Sequence, residues 1–175
     1  MTIKTIFLDR DGVINKEKKY LYKIEDFEFI SGVFNACNHF NNLGYKIIII
    51  TNQSGISRKY YKESDYQILT HWMLKKFKKN NIDILDIFHC SHGPNSSCKC
   101  RKPRPGMLLE AKAKHNIIMG DSWMIGDKEA DIEAANLAGI ANTILVKSGH
   151  KINEADSNAK FILESINQVD EIINL

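Results

Sequence analysis

Asp9 and Asp11 stand two residues apart in an Asp-Arg-Asp-Gly run. On an extended segment, side chains at i and i+2 point the same way. One carboxylate can then attack phosphorus while the other gives and takes a proton. Asp-Gly pairs are also frequent in turns, and this pair alone fits a solvated turn equally well. Further polar clusters follow. Thr51-Asn52-Gln53-Ser54-Gly55 offers a hydroxyl, two amides and backbone N–H groups, which can cradle a phosphate or cap a turn. Lys102, in Arg101-Lys102-Pro103, either neutralises a phosphoryl group or is an ordinary surface lysine. Gly126-Asp127, with Asp131 one helical turn later, supplies acids that can complete a hard-oxygen Mg²⁺ site with Asp9 and a backbone carbonyl of the first loop. The same two acids would also suit the start of a helix.

A second constellation is Cys90-Ser91-His92, then five residues, then Cys98-Lys99-Cys100. Three thiolates and an imidazole fit tetrahedral Zn²⁺ with no open position, a structural site. The competing reading is a pair of buried cysteines beside a surface histidine. Three of the four cysteines fall within eleven residues, which favours metal over a disulfide framework in a reducing compartment. His89 should face away from Cys90 on an extended segment and is not counted as a ligand. Cys37 lies on the apolar face of its helix and reads as core.

These residues need elements to hold them. Apolar β-branched runs alternate with helical patterns, which predicts a doubly wound, mostly parallel α/β sheet with helices on both faces. Strands are expected over residues 3–8, 46–51, 84–88, 123–125, 142–146 and 161–163. Helices are expected over 32–43, 64–79, 105–115 and 128–138, with Ser165 capping a final one. The lysines ending the 64–79 segment suit a helix C-terminus and read as a solvated face. The acids and the phosphate-cradling run lie at strand ends, where such folds build their sites.

Composition narrows the field. The chain has 175 residues, 43% hydrophobic and 26% charged, enough for one globular domain. A net charge of +3 is too mild to argue for nucleic acid. No signal peptide or membrane span is apparent, so a cytoplasmic location is expected. No P-loop motif is present, which leaves a kinase without support.

Together, DRDG, TNQSG, the Lys of RKP, and GDKEAD resemble the four motifs of the haloacid dehalogenase superfamily phosphatases. The resemblance implies that Asp9 is the nucleophile and Asp11 the general acid and base. It implies that Thr51 and Lys102 hold phosphoryl oxygens. Mg²⁺ would be held by Asp9, Asp127 and the Asp11 carbonyl, with Asp131 as an orienting group. Only 40 residues separate Asp11 from Thr51, so a single domain without a substantial cap is expected, with the Zn²⁺ loop at about 90–100 and loops choosing the substrate.

CxH…CxC followed by RKP, with TNQSGISR and RPGM, resembles the heptose-1,7-bisphosphate 7-phosphatases, enzymes that supply the heptose of lipopolysaccharide and glycoproteins. By that resemblance a small phosphorylated sugar would contact Glu17 to Tyr20, Asn52, Gln53, Ser54, Gly55, Arg101 and Lys128, and a monomer would suffice. The similar histidinol-phosphate phosphatases are disfavoured by SGISR and RPGM. A polynucleotide 3′-phosphatase is disfavoured by the charge and the Cys-His loop. A non-catalytic binding module would be expected to lack one of the acids.

Overall fold

The computed structural model describes residues 1–174. Six strands form one sheet: β1 (Thr5–Leu8), β2 (Lys46–Asn52), β3 (Ile84–Cys90), β4 (Trp123–Gly126), β5 (Asn142–Val146) and β6 (Phe161–Leu163). Four α-helices intervene: α1 (Val33–Asn42), α2 (Glu63–Lys79), α3 (Gly106–His115) and α4 (Glu129–Leu137). The strand order is β3-β2-β1-β4-β5-β6. Every neighbouring pair is parallel. The expectation of a mostly parallel sheet is thus sharpened to a wholly parallel one.

Strand side chains alternate between faces, and the two cores divide accordingly. Ile6, Leu8, Ile47 and Ile49 pack with α1, α2 and the segment around Ile166 and Val169. Phe7, Ile48, Ile50 and Met124 pack with Met107, Leu108 and Ala111 of α3 and Ala134 and Ala135 of α4. Four consecutive buried isoleucines in β2 are needed because that strand is covered on both sides. Cys37 is fully buried in the first of these cores.

Most element bounds shift by a residue or so from the sequence reading, and three differences are larger or of another kind. The first strand begins at Thr5, and Ile3 makes only an isolated bridge to Ile117. β3 runs two residues further than expected, to Cys90, because it pairs with β2 as far as Asn52↔Cys90. Ser165 does cap a helix by accepting from Asn167 N, but that helix (Ile166–Glu171) is of the tighter 3₁₀ type.

The chain winds outward in both directions from the central strands β1 and β4. At that switch point the loops beyond the strands diverge and leave a crevice. Asp9 follows β1 and Asp127 follows β4, so both acids stand at its floor. Among the described residues, no helix is long and apolar enough to cross a membrane.

Candidate active site

The first loop is set by its backbone. Asp9 N–H donates to the Ile125 carbonyl at 3.0 Å, which continues the β1–β4 pairing by one residue. Asp9 Oδ1 accepts from Arg10 N–H at 2.8 Å. Gly12 turns the chain at φ +86°, a region that disfavours any side chain. An added Cβ there would also sit 2.2 Å from Asp127 Oδ2.

Lys102 is the central cation. Its Nζ lies 3.0 Å from Asp9 Oδ1 and 2.6 Å from Asp131 Oδ1. It also donates to the Ile50 carbonyl at 2.8 Å. Asn52 fixes its backbone by accepting from Lys102 N–H at 3.1 Å and donating to the Lys102 carbonyl at 3.2 Å. Burial alone would lower the Lys102 ammonium, but Asp131 and Asp9 hold it above its ordinary value. Burial also raises the Asp9 carboxyl well above its ordinary value, and Asp131 adds to that effect. Lys102 opposes the rise, while Asp127 and Asp11 reinforce it.

Asp11 has different partners. Its Oδ1 accepts from Arg10 at 3.0 Å and from Asn15 at 3.0 Å. Its Oδ2 accepts from Gln53 at 3.1 Å. Burial pushes this carboxyl up, but Arg10, Asn15 and Gln53 outweigh it and bring it below its ordinary value. Two acids two residues apart are thereby driven in opposite directions by their different neighbours. Thr51 accepts from Gln53 at 2.8 Å, and Tyr61 donates to Gln53 at 2.6 Å.

Asp131 accepts from Asp127 N–H and Lys128 N–H, both at 3.1 Å, through Oδ2. Its Oδ1 faces Lys102, so both oxygens are engaged within the chain. Asp127 is fully buried, and its Oδ1 has no partner. The Asp11 carbonyl oxygen accepts no hydrogen bond among the described residues. A buried orphan carboxylate oxygen beside a crowded Asp9 suits a divalent cation with oxygen ligands.

Above this floor lies a cavity of about 290 Å³. Asp9, Asp11 and Asp127 line it together with Glu17, Tyr20, Asn52, Gln53, Ser54, Gly55, Arg101 and Lys128. Every substrate contact expected from sequence thus borders one space. Thr51 and Lys102 lie beneath it, each no more than 4% exposed. Lys18, Lys19 and Arg58 add cations to the wall. Two aromatic pairs join the loop after β1 to the loop after β2. Tyr20 meets Tyr60 edge-on at 4.6 Å, and Tyr22 stacks on Tyr61 at 5.3 Å.

The Cys-His loop brings four ligand atoms within 4.8 Å of one another, from Cys90, His92, Cys98 and Cys100. Cys90 Sγ is 3.8 Å from Cys98 Sγ and 3.4 Å from His92 Nδ1. Zn–S bonds of about 2.3 Å in a tetrahedron space sulfurs at about 3.8 Å. Cys100 Sγ lies 2.8 Å from Cys90 Sγ, well beyond a disulfide bond of about 2.05 Å. His89 turns instead to Glu63, at 2.9 Å. Arg101 donates to the His92 carbonyl at 3.1 Å, which ties the cavity wall to this loop.

Sequence reasoning missed several participants, Asn15 beside Asp11 among them. Arg10 is 2% exposed and pairs with Asp11 from below. Tyr61 orients Gln53. His150 reaches Asp127 from the loop after β5. The Arg inside DRDG was a visible signal, since a charged residue between two strand-end acids is placed to pair with one of them. His150 carried no spacing signal.

Residues 99–169 match a hydrolase model described as HAD-hydrolase-like. The chain is 51% identical over 164 residues to the D-glycero-alpha-D-manno-heptose-1,7-bisphosphate 7-phosphatase of Photorhabdus laumondii, covering 90% of each. It is 48% identical to the alpha enzyme of Campylobacter jejuni, covering 95% of this chain and 96% of that one. It is 38% identical to the corresponding beta enzyme of Escherichia coli K12, covering 98% and 94%. A crystal structure of the D,D-heptose 1,7-bisphosphate phosphatase from B. bronchiseptica, complexed with magnesium and phosphate, superposes with a TM-score of 0.84 at 26% identity, covering 97% of both chains.

Gly149 packs beside Gly12 against Asp127, and a Cβ there would sit 2.0 Å from Asp127 Oδ2. Gly149→Ala is expected to displace that carboxylate and cost about 100-fold in phosphatase kcat/KM. Steady-state kinetics beside a circular dichroism spectrum will check that activity falls while the fold persists.

Proposed function

Since the chain belongs to the D-glycero-D-manno-heptose-1,7-bisphosphate 7-phosphatase family of haloacid dehalogenase-like hydrolases, we propose that it hydrolyses the 7-phosphate of that bisphosphate through an aspartyl-phosphate on Asp9. The observation that carries the reading is the buried Asp9, paired with Lys102 at the floor of a polar, cation-walled cavity.

Asp9 attacks phosphorus, and the bond from phosphorus to the sugar oxygen breaks. Asp11 gives that oxygen its proton, then takes one from the water that hydrolyses the aspartyl-phosphate. Arg10, Asn15 and Gln53 hold Asp11 in place for both transfers. Thr51 and Lys102 hold the phosphoryl oxygens. Asp9, Asp127, whose Oδ1 has no other partner, and the Asp11 carbonyl would hold Mg²⁺. Bound there, Mg²⁺ offsets the repulsion between an anionic nucleophile and an anionic phosphate.

In this reading one capless domain leaves recognition to loops, in keeping with a cavity walled by the loops after β1, β2, β3 and β4. The sugar and its second phosphate meet Glu17 to Tyr20, Gln53 to Gly55, Arg101 and Lys128. Arg101 is the natural partner of a phosphate or diol because its fork offers paired donors. Zn²⁺ on Cys90, His92, Cys98 and Cys100 fastens the loop from which Arg101 projects. The proposed substrate is the alpha anomer, because relatives named for it are 51% and 48% identical, against 38% and 44% for beta relatives from E. coli K12 and Helicobacter pylori.

Asp9→Asn is expected to abolish turnover with the fold intact; appreciable Mg²⁺-dependent activity in that variant would remove Asp9 from its role. Zinc is expected at one equivalent by elemental analysis and absent from Cys98→Ser/Cys100→Ser, with lowered thermal stability. The substrate is tested by kcat/KM on the alpha and beta heptose bisphosphates, histidinol phosphate and a 3′-phosphorylated oligonucleotide. The alpha bisphosphate should lead, and a preference for either non-heptose compound overturns the reading.

A further inference from the structure

We infer that the His150 side chain is a positioning residue for Asp127, aiming that carboxylate's single unpartnered oxygen at the cation. The inference rests on the reading that Asp127 holds Mg²⁺.

Asp127 has no solvent to orient it, being fully buried at the end of β4. Its Oδ2 accepts two hydrogen bonds from one residue, from His150 N–H at 2.9 Å and from ring Nδ1 at 2.6 Å. A ring nitrogen bonded to a carboxylate must carry the proton, so the tautomer follows from the contact. Two donors on one oxygen, arriving from backbone and ring, fix the tilt of the carboxylate plane, because turning it away breaks both bonds. Gly12 and Gly149 close in on the same oxygen and leave no space for another donor. Oδ1 therefore stays buried and unsatisfied, a state that costs free energy unless a ligand arrives.

The ring has a second neighbour. His150 Nε2 stands 3.7 Å from Glu17 Oε1, across the cavity wall. Ser148 Oγ donates to the Gly12 carbonyl at 2.7 Å and ties the same loop to the loop after β1. Residues 148–150 thus join the first loop to the acid after β4, and His150 is the member that touches the acid. A histidine that orients an acid in this way accounts for contacts that neither nucleophile, proton donor nor phosphate clamp requires.

The test uses the full-length, zinc-replete protein dialysed free of Mg²⁺, with Mg²⁺ alone as the probe. Isothermal titration calorimetry should show His150→Ala weakening Mg²⁺ about tenfold or more, the usual loss when a ligand's supporting partner is removed. The melting temperature without Mg²⁺ should move by about 2 °C or less. His150→Asn keeps an amide donor at the same number of bonds from Cα as Nδ1, and should restore affinity to within about threefold of the parent. In His150→Ala, KM for Mg²⁺ should rise by a similar factor of about tenfold. Parent-like Mg²⁺ affinity in His150→Ala would overturn the inference, as would a His150→Asn variant as weak as the alanine one. Asp127→Ala separates the two levels: if it too binds Mg²⁺ like the parent, the assignment of Asp127 fails, and His150 with it.

Discussion

A lysine ammonium, 4% exposed, sits between two buried carboxylates, and the site depends on that arrangement. Lys102 lies within 3.0 Å of both Asp9 and Asp131. Gathering Asp9, Asp11, Asp127 and Asp131 at two adjacent strand ends would cost far more than a small domain's net stability if their charges stood alone. Lys102 offsets part of the charge, and Arg10 offsets Asp11. Four acids against two cations still leave a deficit. The fold stabilises enough negative charge to hold the site together and leaves the remainder for a metal ion.

The way Lys102 is held explains why its loop is so elaborate. No secondary structure supplies it, since it lies between β3 and α3. Asn52 clamps its backbone on both sides, and the Ile50 carbonyl takes its ammonium. The preceding residues converge through three cysteines and a histidine. A cation that must meet two acids within hydrogen-bonding distance cannot swing on a free loop. The Cys-His cluster fixes one end of that segment and α3 the other.

Much of this was legible in the residues. β2 was readable because its isoleucines are continuous, and continuity means cover on both faces. Asp9, Thr51 and Asp127 were legible as strand-end residues because strand ends converge in a doubly wound sheet, whereas Lys102 was read only from a loop before a helix. Of the two readings of Asp131, the helix-start one is visible in the fold, since its carboxylate accepts from the start of α4, while its other oxygen faces Lys102. What escaped was contact between distant loops. His150 reaches Asp127 across 23 positions of sequence, and Tyr22 meets Tyr61 across the site. Neither follows from periodicity or motif, because each is fixed by how the loops lean after the sheet has formed. Arg10 escaped for a different reason: its place between two acids was a signal, but charged residues are rarely buried, which masked it.

The aromatic pairs between the first and second loops bear on how a ligand is greeted. Tyr20 with Tyr60, and Tyr22 with Tyr61, brace one wall against the other. Loops that would otherwise lose their freedom when a sugar arrives have already lost it during folding. The entropic penalty of recognition falls on the biosynthesis of the protein, once, and not on each catalytic cycle.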